Sequence, residues 1–364
     1  MSAQFFPSKT MSLYMGRLFL VRSVAVLAAL VLVLQALDLL GESDKILAVP
    51  GNDNGDIWRY VSMRMPQIIQ RFLPFSVLLG ALITMVTLNQ NSEVVSMKAS
   101  GLSAHQVLAP LIIASIGVAA ISFAFNERIV TRATATLNRW QKVEYAAIPM
   151  DSRVQSDIWV RDGTNLINAG SVQGRGMGTR LADITIYDRS GGELSAIIKA
   201  KAGRPQDTGW QLDGASRFDV KRGVREDLGK VTAASGVRPD QFTLASVDPD
   251  GLSFLQLWGA IDDLEAAGRP TRSLKAALWH KISGPMSTVL MPLLAAVAAF
   301  GVARSGKLFV RAVIGMALGF AYFVVENAAL AMGSFGGYPP LLAAWSPFVL
   351  FFLLGETVLI RTEE

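Results

Sequence analysis

The 364 residues of this chain include no cysteine. Disulfides, thiolate metal sites and cysteine nucleophiles are therefore excluded. Histidine is almost as scarce. The two present, His105 and His280, fall on opposite membrane faces in the topology argued below, so they cannot share a metal ion. Charge is thin, at 17% of residues, and the stretch from Gly333 to Pro340 carries none. No nucleophile elbow, zinc motif or paired-acid signature appears. One stretch approaches a phosphate-binding loop, Gly301-Val-Ala-Arg-Ser-Gly306-Lys307-Leu308. It fails at its last position, which must supply a hydroxyl to magnesium and here is leucine.

Apolar residues are plentiful. They make up 51% of the chain, and the mean hydropathy of +0.37 belongs to an integral membrane protein. Six runs are long enough to cross a bilayer: Leu18–Leu40, Phe72–Leu88, Val107–Phe125, Ile282–Val302, Leu308–Met332 and Leu341–Ile360. The first lacks a small-residue cleavage site and reads as a retained helix. The second follows an interfacial stretch, Ile57–Arg71, with Trp58, Tyr60, Arg64 and Pro66. Net charge is +5, but much of it sits at the ends of spans, where orientation explains it without nucleic acid. Lys9, Arg17, Arg22, Lys98, Arg304, Lys307, Arg311 and Arg361 put both termini, the second–third loop and the fourth–fifth loop in the cytoplasm. The large polar stretch then lies on the far side, in the periplasm of a two-membrane cell.

That stretch reads as β. Asp157–Arg161, Asn165–Gly170, Ala182–Asp188, Leu194–Ala200, Trp210–Leu212 and Ser216–Lys221 are bounded by turn clusters. Asp162-Gly163 and Ser190-Gly191-Gly192 are hairpin signals. Short strands at regular spacing suggest a sandwich or jelly roll. A helical period returns over Leu252–Ala267 and ends at Gly268. The resulting fold class is an integral membrane α-helical protein with six transmembrane helices (3+3) and an inserted periplasmic β-jellyroll domain. Its divisions are 1–127, 128–271 with flanking helices, and 272–364.

Between the second and third spans lies a short polar hairpin. Ser92 has the chemistry of an N-cap, and Glu93 suits the positive end of a helix dipole. Val94, Val95 and Met97 give one apolar side, and Gly101 is a natural stop. It reads either as a small rigid knob that could receive force from a soluble partner, or as an ordinary turn. Asp38, Glu326, Asn327 and Glu356 are polar groups in or near spans. Each serves either function or helix-to-helix hydrogen bonding. Gly315 and Gly319 make a small-xxx-small face. Arg71, Arg128 and Arg132 are expected to gather at the outer headgroup level. There they either clamp phosphates or anchor the helices.

Several stretches together resemble the LptF/LptG permease family of the lipopolysaccharide-transport ABC exporter, over nearly the whole chain. They are Leu73-Pro-Phe-Ser-Val-Leu-Leu-Gly-Ala81, the hairpin Asn91–Ser103, Ile158-Trp-Val-Arg-Asp-Gly163, Asp183-Ile-Thr-Ile-Tyr187, Gly209-Trp-Gln-Leu212 and the return helix. Gly336-Gly-Tyr-Pro-Pro340 is more similar to the LptG branch than to LptF. The resemblance implies a permease without catalytic residues or cofactor of its own, with ATP and magnesium held by an LptB-like ATPase dimer. It also implies an LptF-like second permease, an LptC-like periplasmic partner, and lipopolysaccharide as cargo in the bacterial inner membrane. Ser92, Glu93, Met97 and Gly101 take the place of the ATPase-coupling helix, and Asp38, Arg71, Arg128 and Arg132 are candidates for substrate contact. Gly315, Gly319 and Glu326 are candidates for the gate and for helix packing. One departure stands out. Family members often carry lysines at the outer end of the first span, where this chain has Gln35, Asp38, Gly41 and Glu42, with only Lys45 nearby. A scaffold that presents the β domain without moving cargo and a lipid-modifying membrane enzyme are the competing readings.

Overall fold

A computed structural model describes residues 8–146, 155–174, 176–189, 193–206, 209–239, 242, 247–266, 269–301 and 308–363. Two compact units emerge. The first takes 1–146, 249–261 and 271–364, and the second takes 147–248 and 262–270.

The first unit is helical. Its elements are α1 (Lys9–Leu47), α2 (Asn54–Gln90), α3 (Glu93–Ala99), α4 (Ala104–Phe125), α5 (Thr131–Lys142), the start of α6 (Phe254–Ala266), α7 (Arg272–Gly301), α8 (Leu308–Ser334) and α9 (Pro340–Glu363). Six of the helices, with α4 and α5 counted as one, are long and apolar enough to cross a membrane. α1 has 39 residues and α2 has 37. At a rise of 1.5 Å per residue each is roughly 55–60 Å long, nearly twice the hydrocarbon thickness, so both extend past it.

The interfacial stretch Ile57–Arg71 is no separate element. α2 runs unbroken through Pro66 and Pro74. A long neighbour accounts for this: α1 packs along α2, as does α7, and proline is tolerated in a span whose neighbours support it. Capping boxes start two of the helices, Asp53 with Asp56 on α2 and Ser103 with Gln106 on α4.

A π turn at Asn126–Val130 joins α4 to α5. The wider turn takes Arg128 out of the plain α-helical register that would set it on one face with Arg132, four residues on. Residues 128–146, at the start of the 128–271 division with its flanking helices, fall in the helical unit. α5 packs on α2, and Tyr145 is bonded back to Glu42 of α1.

The bundle interior is one apolar cluster. It draws Phe19 from α1, Leu78 and Met85 from α2, Leu108 from α4, Leu294 from α7 and Phe351 from α9.

The second unit is a six-stranded antiparallel sheet whose neighbours follow chain order. Its strands are β1 (Gln155–Asp162), β2 (Asn165–Gln173), β3 (Arg180–Asp188), β4 (Ala196–Gln206), β5 (Gly209–Asp219) and β6 (Val224–Ala233). The β domain is present, and its described strands form a meander without the crossed connections of a jelly roll. Trp210–Leu212 and Ser216–Lys221, read as separate runs, are one strand that ends at Asp219, with a register shift between Asp213 and Ser216. The Asp162-Gly163 signal is a true reversal, pairing Asp162 with Asn165. Ser190-Gly191-Gly192 and Gly268 lie outside the described residues. Ile158, Ile167, Ile184, Trp210 and Phe242 fill the core, and Trp210 donates its indole N–H to the Val237 carbonyl at 2.8 Å.

Candidate functional site

α3 is a seven-residue helix held between two spans. Val94 and Met97 are buried in the bundle core. Val95 was expected on that same side but is 60% exposed, because one helical step turns it about 100° away. Ser92 does not cap α3. Its φ is +60° and its side chain makes no capping bond. It is instead the left-handed residue that closes α2, with its N–H on the Asn89 carbonyl at 3.0 Å. One residue thus ends one helix and begins the next, and its backbone conformation rules out the capping rotamer.

Glu93 accepts from Asn91 Nδ2 at 3.2 Å and from Tyr14 Oη on α1 at 3.4 Å. At the other end, Gly101 takes φ +88°. Its N–H reaches the Lys98 carbonyl and that of Leu102 reaches Met97, the paired bonds of a Schellman stop. Close by, His105 Nε2 at the start of α4 lies 3.0 Å from Glu356 Oε2 near the end of α9.

At the opposite end of α1, Asp38 is engaged inside the chain. Arg64 donates to it through Nη2 at 2.9 Å and Nε at 3.1 Å, and Tyr60 through Oη at 2.6 Å. Two turns of α1 are tied down there. Tyr145 Oη donates to Glu42 at 2.6 Å, and the Tyr145 carbonyl accepts from Asn52 and from Trp140. Burial, and after it the bond to Glu42, pushes the Tyr145 phenol up to about 12. Arg59 stacks over the Trp140 ring at 5.0 Å.

Arg71, Arg128 and Arg132 are all exposed. They do not share one level. Ser122 donates to Gln70 at 3.2 Å, which sets α2 against α4. Arg71 sits at that contact, while Arg128 is six residues further along, roughly 9 Å at helical rise. Glu127 beside Arg128 faces another way: its carboxylate accepts the Phe254 N–H at 2.8 Å, at the dipole end of α6.

The glycine face of α8 packs within the chain. A Cβ at Gly315 would come 2.6 Å from Leu82 Cδ2 of α2, and one at Gly319 would overlap Leu78. Glu326 is buried, accepts from Tyr322 Oη at 3.1 Å, and lies 3.8 Å from His280 Nδ1 on α7. His280 and His105 are thus paired with different acids at different places. Arg304 and Lys307 lie outside the described residues.

Sequence reasoning missed Arg64 as the partner of Asp38, although a carboxylate within a span demands a cation or donors nearby. It also passed over Tyr145 and Glu127, whose roles depend on distant backbone.

A helical bundle of membrane-spanning length with an inserted β domain, and a short helix wedged between two spans, defines a multi-pass membrane protein. A family model described as "Lipopolysaccharide export system permease LptF/LptG" matches residues 13–361. The chain belongs to that family. It is 27% identical over 310 residues to the lipopolysaccharide export system permease protein LptG of Escherichia coli strain K12, covering 83% of this chain and 84% of that one. It is 25% identical over 335 residues to the protein of the same name from Haemophilus influenzae, covering 86% and 89%. Both relatives carry the LptG name, the branch to which Gly336-Gly-Tyr-Pro-Pro340 pointed.

Proposed function

We propose that this chain is the LptG-type permease of an ATP-driven exporter. The exporter lifts lipopolysaccharide from the outer leaflet of the inner membrane and passes it to a periplasmic bridge. The carrying observation is the family match along nearly the whole chain. Physical chemistry supports it: each acyl methylene withdrawn from a bilayer costs about 0.8 kcal/mol, so extracting a multi-chain lipid needs an outside energy source. An LptB-like ATPase dimer holding ATP and magnesium supplies that work, an LptF-like permease forms the other wall, and an LptC-like protein receives the cargo. The loop charges support cytoplasmic termini and a periplasmic β domain. Residues 1–127 and 272–364 are the two membrane halves, around the region 128–271.

Force enters at α3. Val94 and Met97 root it in the bundle, while Glu93 faces a basic group of the ATPase. Ser92 and Gly101 fix its two ends. Arg71, Arg128 and Arg132 meet anionic groups of the lipid at two depths, Asp38 holds α1 to α2 through Arg64, and Gly315, Gly319 and Glu326 set how α8 packs.

The test is Glu93→Lys in the complex reconstituted with lipopolysaccharide-loaded vesicles. ATP-dependent release should fall at least roughly tenfold, as loss of one interfacial charge pair requires, with thermal stability unchanged. Undiminished release would remove the coupling role. Purification from native membrane without an ATPase or a second permease would remove the exporter reading itself.

A further inference from the structure

His105 stands second in α4, and Glu356 lies about two turns before the end of α9. They are 251 residues apart in the chain, yet His105 Nε2 comes within 3.0 Å of Glu356 Oε2. An ionised carboxylate only accepts, so Nε2 carries the proton between them. A histidine in the first turn gains nothing from its own helix dipole, whose positive end lies there. What it reaches therefore accounts for its place better than what it does for α4.

On one side the pair is tied to α3. Ser100 to Ser103 alone separate α3 from α4, and they are taut. The Gly101 and Leu102 N–H groups bond back onto Lys98 and Met97, Leu102 packs against the bundle core, and Ser103 with Gln106 caps α4. On the other side the pair is tied to the last spans. Gly355, beside Glu356, lets α9 close on α7: a Cβ there would come 2.7 Å from Leu293 Cγ. Leu359, one turn past Glu356, is packed in the same apolar cluster as Val94 and Met97. α7 packs along both α4 and α9, which meet each other only slightly. The His105–Glu356 contact thus closes a triangle of helices at the end that carries α3. Its side chains are 34% and 28% exposed. An ion pair that exposed adds little to stability and breaks and re-forms easily, which suits a link that must follow motion.

We propose that His105 and Glu356 are positioning residues for export, the link through which a displacement of α3 passes from the first membrane half to the second. This rests on α3 being where force enters, and it names the route by which force crosses to α9 and α7. With the pair severed, α3 still moves α2 and α4, while α9 follows less.

The test uses the complete complex in lipopolysaccharide-loaded vesicles, with ATP hydrolysis and lipid release measured together. His105→Glu sets two acids face to face. It should lower the lipid released per ATP about threefold, the scale of a half-exposed ion pair, with hydrolysis and melting little changed. Adding Glu356→His remakes the pair in reverse and should restore the ratio. The exchange should fold, because an acid suits the first turn of α4. Glu356→Gln keeps an acceptor and should lose less than Glu356→Leu. A purely structural role would lower melting, or both rates together. That result, an unchanged ratio in His105→Glu, a ratio that stays low in the exchange, or equal losses in the two Glu356 variants would each overturn the proposal. Glu93→Lys in the same vesicles separates the two readings. If it lowers release while His105→Glu does not, only this link falls. If neither lowers it, force does not enter at α3, and the link falls with that reading.

Discussion

Arg64 of α2 holds Asp38 of α1 with two nitrogens, while Tyr60, one turn from Arg64, holds the same carboxylate from 2.6 Å. A polar tie of three side chains thus joins the two longest helices where apolar contact alone would let them slide.

Asp38→Ala and Arg64→Ala should each lower stability by about 1–2 kcal/mol. That is less than for a fully buried pair, since both groups keep some solvent contact. The double change should cost no more than the larger single one. Chemical unfolding in detergent measures the cycle, and additive losses would mean that the two residues act separately.

The glycine face of α8 is a packing surface, so bulk there should be damaging. Gly319→Val drives a side chain into Leu78 and should cost about 1–3 kcal/mol. Adding Leu78→Ala should return part of that loss. Thermal melts of the two variants decide it: no recovery would mean that the fault lies elsewhere on the helix.

The six spans and the presence of a β domain were legible because a bilayer demands long apolar runs and strands alternate. β6 escaped notice: it is the last strand in the sheet order, so Val224-Arg-Glu-Asp shows none of the alternation that burial imposes. The break read between Leu212 and Ser216 is a register shift beside Gly214, which interrupts the pattern without ending the strand. At α3, composition identified a helix and its glycine stop. The conformation of Ser92 was hidden, because it is set by α2 arriving from the other side. Asp38 was visible as an anomaly, but its partner lies 26 residues away, on another helix.

Alkaline pH should probe the cluster around Tyr145. Its phenol titrates near 12 when folded against 10.0 when free. The stability it contributes is therefore complete below pH 10 and lost as pH rises through 12. Tyr145→Phe should remove that part of the slope, leaving melts between pH 9 and 12 flatter than those of the unaltered chain. An identical slope would show that the phenol does not report on this fold.

Arg128→Ala with Arg132→Ala should weaken photocrosslinking of lipopolysaccharide several-fold at the α4–α5 junction, the scale expected for two exposed charges. Arg71→Ala, roughly 9 Å from Arg128 along the bundle and further from Arg132, should act on a different part of the lipid. Unchanged crosslinking would leave all three as anchors.

The joint at Ser92 has one further consequence. Only Asn91 and Ser92 separate the last residue of α2 from the first of α3, so the joint holds little slack. If force enters at Glu93 as proposed, so short a joint passes it to the last turn of α2, where Leu88 is packed in the bundle core.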